Sequence, residues 1–332
     1  MAFYSDPAAL DKALEAIDLP KILSGVDRRE KEQEGRSRTS GSARTSGSAG
    51  SDDRLGYDDH LAMETLAYFK NDFFKWVNAP PCTRCGRDGD NMLSLGAERP
   101  GTPGPDLVSV VEHYQCRECN EKTSFARINN PVSLLKSHTG RCGEWVNCFL
   151  LVLRAVLGVD SKVRYVWNHE DHVWCEYYSR ALGRWVHMDP CENAWDQPAL
   201  YCENWGKKMS WVIGIGDDYV VDLSSKYVTV AEKQIAKDSV ESPRTVLLAL
   251  CRINARLAER VWHAAQAQSA SESDAYTRFY WSYLVPKNRD LLSLRPGKTR
   301  CVCEDGASRT TVRGRQSGSA SWTATRGEDG SR

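Results

Sequence analysis

Hydrophobic positions recur with clear periods between about residues 53 and 298 and thin out on either side. Behind Asp58 and Asp59, two candidate helix caps, Ala62, Leu66, Phe69 and Phe73 follow at helical spacing, which predicts a helix leading towards Trp76. Trp145, Phe149, Val152 and Val156 return every three to four residues, so a second helix is expected to open at Cys142, bury one face and close at Gly158. Three runs rich in aromatic and β-branched residues follow at 162–167, 172–178 and 184–188. Turn residues such as Gly183 separate them, so they are expected to pair as antiparallel neighbours. A hairpin is predicted from 211–215 and 219–221 around Gly216-Asp217-Asp218. A capped helix is predicted after Ser242-Pro243, with Val246, Leu250, Ile253 and Leu257 on one face. The pattern is that of an α+β domain.

The flanks read differently. Residues 1–34 form an N-terminal helix region in which Leu10, Leu14 and Ile17 share one helical face, and that face suits either docking to a partner or packing on its own domain. Residues 35–52 repeat Ser, Gly, Arg and Ala with almost nothing apolar, as a linker does, and residues 299–332 share that character and are expected to be a disordered tail. The folded body is then 53–298.

Composition narrows the function. Lys plus Arg and Asp plus Glu each number 44, so no net field steers the chain to nucleic acid or an anionic membrane. The N-terminus lacks the charged and apolar regions of an export signal, and no run approaches the ~18 apolar residues of a membrane span. A cytoplasmic location is expected, with the nucleus as a second compartment. In such a reducing setting the 12 cysteines point to metal binding or chemistry rather than disulfides.

Two constellations use those cysteines. Cys82-x-x-Cys85 and Cys116-x-x-Cys119 can each bend into a knuckle presenting two thiolates, and together they predict one structural Zn²⁺ within 82–119. Four thiolates close the coordination sphere and leave no place for an activated water. Cys301-x-Cys303 has the wrong spacing and is given no role. The second constellation is Cys142 at a predicted helix start, where unpaired N–H groups favour a thiolate, with His172 opening one strand and Asp189 closing the next. A thiol, an imidazole and a carboxylate so placed make a catalytic triad: nucleophile, proton carrier and orienting group.

Three motifs carry a resemblance. G-R-C-G-E-W-V-N-C-F (140–149), V-R-Y-V-W-N-H-E-D-H-V-W-C-E (163–176) and R-W-V-H-M-D-P-C-E (184–192) resemble, in order, the core motifs of cytosolic peptide:N-glycanases, and W-V-N-A-P-P-C-T-R-C (76–85) resembles the lead-in to that family's zinc cysteines. The resemblance implies a transglutaminase-like (papain-like) thiol hydrolase core with an inserted four-cysteine zinc region, of the compact fungal type. It implies Cys142, His172 and Asp189 as the triad and Cys82, Cys85, Cys116 and Cys119 as zinc ligands. Glu176 and Glu192 resemble carboxylates facing the core chitobiose. Trp174 and Trp185 are expected beside them, and Trp76 as an aid to the oxyanion. The implied reaction releases N-glycans from misfolded glycoproteins by amide hydrolysis, turning Asn into Asp. The implied partner is a ubiquitin-receptor shuttle protein of the nucleotide-excision-repair type, docked on residues 5–18 and the C-terminal helices. Met188 and Val146 depart from the usual Val and Ala without removing a reacting atom, while the linker and tail have no expected counterpart. A transglutaminase would pass the acyl group to an amine, and the glutamates argue for a sugar leaving group instead. A cysteine protease fits the motifs less well, and a scaffold without activity conflicts with the intact triad.

Overall fold

A computed structural model of the chain describes residues 2–39, 54–294 and 313–331. Helix α1 (Pro7–Ala16) starts under an Asp6 cap, and α2 (Leu19–Thr39) follows. Residues 35–39, expected in the linker, are therefore helical, and 40–53 lie outside the described residues. Helix α3 (Tyr57–Tyr68) runs into a π turn at Phe69–Phe73. Its start is closed from within the first turn, because the Asp59 carboxylate accepts the Gly56 N–H at 2.8 Å.

Strand β1 (Lys75–Trp76) leads into a three-stranded antiparallel sheet of β2 (Met92–Glu98), β3 (Val111–Cys116) and β4 (Lys122–Ala126). Helix α4 (Pro131–Ser137) and strand β5 (Thr139–Gly140), parallel to β1, deliver the chain to α5 (Cys142–Leu157). This helix is apolar nearly all round and buries Trp145, Phe149 and every residue from Leu150 to Leu153. The α1 face of Leu10, Ala13 and Ile17 is buried in the same core, which leaves only Leu14 of that stripe exposed. Of the two readings of the N-terminal face, packing on its own domain is the one the structure adopts.

Behind α5 stand β6 (Val163–Asn168), β7 (His172–Ser179), β8 (Arg184–Asp189), β9 (Ala194–Trp195), β10 (Val212–Gly216) and β11 (Val220–Asp222). They form one antiparallel sheet in the order β11-β10-β6-β7-β8-β9. The three expected runs are its centre, and the expected hairpin joins along the free edge of β6. Because β7 and β8 are antiparallel, the first residue of one and the last of the other, His172 and Asp189, lie at the same edge of the sheet.

The opposite face carries a second core of Trp174, Tyr201, Trp205 and Tyr227. It is covered by the short α6 (Ser224–Tyr227) and by α7 (Pro243–Ala267), α8 (Glu272–Phe279) and α9 (Val285–Ser293), with Phe279 at the end of α8 and Tyr283 in the π turn between α8 and α9 packed into it. The final segment overturns the expected disordered tail. Residues 299–312 are outside the described residues, but 313–331 are packed on the body and include a short helix α10 (Ala320–Thr325). Gly318, at φ +100°, lets that segment turn where a side chain would meet the Trp322 ring at 2.7 Å.

Candidate active site and metal centre

Cys142 is the first residue of α5; it packs against the main core, and a network of charges fixes the start of its helix. Glu144, in the first turn, reaches back to the Arg141 N–H at 3.0 Å, and Arg127 grips the same carboxylate at 2.7 and 3.0 Å. The Arg141 guanidinium donates to Glu112 at 2.6 and 3.0 Å, to the Tyr114 hydroxyl at 2.9 Å, and to the carbonyls of Val77 and Asn78. The start of the helix is thus bolted to β3 of the small sheet and to the end of β1. Cys142 itself stays half-buried. Burial pushes its thiol above the ordinary value of 9.0, opposed by the positive charge of Arg315. The helix start was expected to favour the thiolate outright; in the folded protein desolvation outweighs it.

His172 Nε2 lies 2.9 Å from Asp189 Oδ2, both side chains fully buried. Its Nδ1 has no partner among the described residues, so this nitrogen remains for proton exchange. Burial holds the imidazole neutral, well below its usual 6.5, and the nearby charge of Arg315 acts in the same direction. The Asp189 carboxyl is pushed up by burial, which the charges of His187 and Arg315 and hydrogen bonds from Tyr201 and the Cys191 N–H oppose. Tyr201 is held in turn by His187 at 2.7 Å, whose Nδ1 accepts the Gln197 N–H. Neither His187 nor Tyr201 was anticipated. His187 sits inside the R-W-V-H-M-D motif, whereas Tyr201 lies beyond it with no signature of its own.

The C-terminal segment closes over this site. Arg315 is fully buried, with Nη1 on Glu328 at 2.7 Å and Nε on the Ser317 hydroxyl at 2.9 Å. Its guanidinium lies over the rings of Trp322, Trp205 and Trp76 at 4.5, 5.0 and 5.5 Å. Lys207 ties Glu328 to the body, and Arg326 reaches Asp171 at 2.8 Å, one residue before His172.

The expected sugar-contacting residues part company. Glu192 is at the site, but its two carboxylate oxygens receive the N–H groups of Gln316 and Ser317 at 2.8 and 2.9 Å. Glu176 is buried four residues along β7 from His172, roughly 13 Å at strand spacing, and its oxygens serve Arg164, Lys226 and Tyr227. It is a structural ion pair and leaves no acceptor facing a sugar. Trp174 is fully buried and stacks on Tyr201 at 4.2 Å, and Trp185 carries the Arg164 guanidinium 4.1 Å above its ring, away from Asp189. The Trp76 indole N–H is donated to Asn78, so its ring forms a wall and does not supply an oxyanion donor.

Glu176 makes a stability prediction. Burial alone would raise its pKa, but the opposed charges of Arg164 and Lys226 hold it at about 2, against an ordinary 4.5. A depressed carboxylate stabilises the fold above the unfolded value and loses that contribution as pH falls from 4.5 towards 2. Glu176→Ala should cost about 3–5 kcal/mol at neutral pH, since it removes a carboxylate from Lys226 and leaves buried Arg164 with Asp290 as its one remaining carboxylate among the described residues, and should flatten the acid limb of the melting-temperature profile. A variant that melts with wild type would refute the structural role.

The four cysteines do converge. Their sulfurs all lie within 4.8 Å of one another, and the Cys82–Cys119 and Cys85–Cys116 separations are 3.4 and 3.6 Å. A tetrahedral thiolate site with bonds of ~2.3 Å has sulfur–sulfur edges of about 3.8 Å, so the set fits one metal ion. Each knuckle closes the same way: the Gly86 N–H bonds to Cys82 O and the Asn120 N–H to Cys116 O, both at 2.9 Å, with Gly86 and Asn120 at positive φ.

The fold and site together define a transglutaminase-like thiol hydrolase with an inserted four-cysteine metal centre. Comparison with known proteins agrees. A model described as the transglutaminase-like superfamily matches residues 102–190, and one described as the Rad4 transglutaminase-like domain matches 160–272. Proteins named peptide-N(4)-(N-acetyl-beta-glucosaminyl)asparagine amidase are similar throughout. That of Debaryomyces hansenii is 44% identical over 98% of this chain and 82% of its own length, and that of Saccharomyces cerevisiae 38% over 98% and 82%. The Gallus gallus protein of that name is 35% identical over 82% of this chain and 38% of its own. The chain belongs to the peptide-N(4)-(N-acetyl-beta-glucosaminyl)asparagine amidase family. Because the fungal similarity covers 98% of the chain, it also reaches the C-terminal segment, for which no counterpart was expected.

Proposed function

We propose that the chain hydrolyses the amide between Asn and the proximal N-acetylglucosamine of N-glycans on denatured glycoproteins, with Cys142, His172 and Asp189 as the triad. The observation that carries this is the His172–Asp189 pair at 2.9 Å, with Nδ1 left over, at the sheet edge in a family of thiol amidases. The Cys142 sulfur attacks the side-chain carbonyl carbon as its proton passes to His172, and first-turn N–H groups of α5 receive the oxyanion. The carbon–nitrogen bond then breaks as His172 protonates the departing glycosylamine. Water adds to the thioester, giving His172 its proton, and the carbon–sulfur bond breaks to leave Asp and restore the thiol. Mass spectrometry of a denatured glycopeptide tests this: Asp at the former glycosylation site supports the amidase, whereas one sugar left on Asn would indicate an endoglycosidase. A denatured substrate is expected, because the glycosylated Asn must be extended and accessible for its side-chain amide to reach the Cys142 sulfur.

Zn²⁺ is the ion we assign to Cys82, Cys85, Cys116 and Cys119, as an all-thiolate structural centre. We also place the chain in the cytoplasm, with the nucleus as a second compartment, a reducing setting that suits four thiolates gathered for one metal ion. No helix among the described residues is long and apolar enough to cross a membrane.

The proposed partner remains the ubiquitin-receptor shuttle protein, which would deliver the enzyme to clients bound for the proteasome. Its docking surface shifts from α1 to the C-terminal helices, where Leu247, Leu248, Leu292 and Trp281 are exposed, the last by 65%. Ser5 and the α7 residues Ile253, Leu257 and Arg260 also line one cleft of about 870 Å³. Leu248→Asp combined with Trp281→Asp should weaken binding at least about tenfold, as loss of an apolar anchor does, and leave free glycopeptide hydrolysis unchanged. Unaltered binding by titration would exclude this surface.

A further inference from the structure

The C-terminal segment does more than cover the site. Arg315 is fully buried, two of its three nitrogens are engaged by Glu328 and Ser317, and Nη2 has no partner among the described residues. Buried guanidinium N–H groups usually find an acceptor; Arg164 Nη2 is another exception among the described residues, but that of Arg315 stands one ring away from the His172 imidazole, where a ligand could supply the partner. A second orphan donor stands beside it. Trp205 Nε1 is likewise unpartnered, and the Trp205 ring lies 4.9 Å from the His172 ring and 5.0 Å from the Arg315 guanidinium. The backbone next to Arg315 is fixed by Glu192, three residues after Asp189, through the Gln316 and Ser317 N–H groups. The guanidinium is therefore one aromatic ring away from the catalytic imidazole and rigidly held.

Resting on the amidase reading, we propose that Arg315 is a substrate-binding residue carried into the active site by residues 313–331, and that its Nη2, together with Trp205 Nε1, donates hydrogen bonds to a carbonyl oxygen of the substrate. Two carbonyls qualify, that of the scissile Asn amide and that of the N-acetyl group on the first sugar, and both are strong acceptors. The charge of Arg315 also acts on Cys142 and His172, opposing the upward push on the thiol and helping keep the imidazole neutral. That is the direction a nucleophile and its base require. The segment then contributes to the site as well as closing over it. Its docking supports this, because Glu328 binds Lys207 and Arg326 binds Asp171 through salt bridges that leave the unpartnered donors unconsumed.

The test compares full-length wild type, Arg315→Lys and Arg315→Ala on one denatured glycopeptide, with melting temperature and metal content checked for each. Arg315→Ala should lower kcat/KM about 10–100-fold, the worth of a hydrogen bond from a charged donor, without loss of fold or metal. Arg315→Lys, which keeps the charge but not the fork, should recover little, and added guanidinium should partly rescue Arg315→Ala. A loss in kcat assigns the scissile carbonyl; a rise in KM that disappears with a sugar lacking the N-acetyl group assigns the other. Alkylation of Cys142 by iodoacetamide should be slower at neutral pH in Arg315→Ala, a readout independent of turnover. The inference is overturned if Arg315→Lys is fully active, if Arg315→Ala keeps wild-type kinetics, or if a chain ending at residue 312 is as active as wild type or more so. Wild type inert on every glycopeptide would overturn the amidase reading, whereas an active wild type with an unaffected Arg315→Ala would sink only this one.

Discussion

Cys142→Ala is expected to abolish glycan release from a denatured glycopeptide, a fall of at least about 10³-fold, while secondary structure, melting temperature and metal content stay those of wild type. The thiol is half-buried and small, so its loss removes little packing, and it belongs to neither the metal cluster nor the charge network that fixes the helix start. His172→Ala and Asp189→Asn should each impair turnover by about 10²–10⁴-fold, and the double variants should be no worse than the poorer single one, because the three groups act as a unit. The pH profile should be bell-shaped. His172 is held below 6.5, so the acid limb of kcat/KM lies below that value, where the imidazole gains a proton and ceases to be a base. The thiol is pushed above 9.0, so the ground state across neutral pH is the uncharged pair, and the alkaline limb appears only above that value. A Cys142→Ala protein with residual wild-type release, or a profile centred below pH 6, would sink this assignment.

The site was legible where chemistry is local in sequence. A cysteine opening a helix, a histidine opening a strand and an aspartate closing the next were read from motifs, and antiparallel pairing brings the last two to one edge of the sheet. The paired C-x-x-C knuckles were equally plain, because each knuckle is a local turn. What escaped notice depends on distant contacts. Residues 313–331 share the Gly, Ser and Ala richness of the linker, and nothing in their composition reveals that Arg315, Trp322, Arg326 and Glu328 dock onto Trp76, Asp171, Trp205 and Lys207. Their order comes from the surface that receives them. Glu176 misled for the converse reason: its motif position matched, but Arg164 and Lys226 arrive from β6 and α6 and occupy its carboxylate. The Leu10, Leu14 and Ile17 stripe was read correctly as amphipathic, and periodicity alone does not say whether such a stripe meets its own domain or another protein.

Stripping the metal is expected to silence the enzyme although no ligand of the centre touches the triad. The region 82–126 has only a small core of its own, built on Cys82, Met92, Tyr114 and Cys116, and Leu93 and Leu95 of β2 remain exposed. Such a sheet has little to hold itself together, so a metal bound by the four thiolates would supply its stability, on the order of 10 kcal/mol if it is zinc. Cys116 ends the strand that also carries Glu112 and Tyr114, and those two residues hold Arg141, the residue immediately before Cys142. Arg127, which clamps Glu144, follows β4 of the same sheet. Loss of the metal should therefore free both clamps and let the first turn of α5 fray, while the large core between α5 and the six-stranded sheet persists. Chelation, or Cys82→Ser, should give protein with near-native far-ultraviolet circular dichroism, about 10²-fold or greater loss of glycan release, and rapid proteolysis confined to residues 82–126. Metal analysis should return one zinc per active chain. Metal-free protein that keeps wild-type activity, or a Cys82→Ser variant as stable as wild type, would show that the four thiols do not hold the site in place.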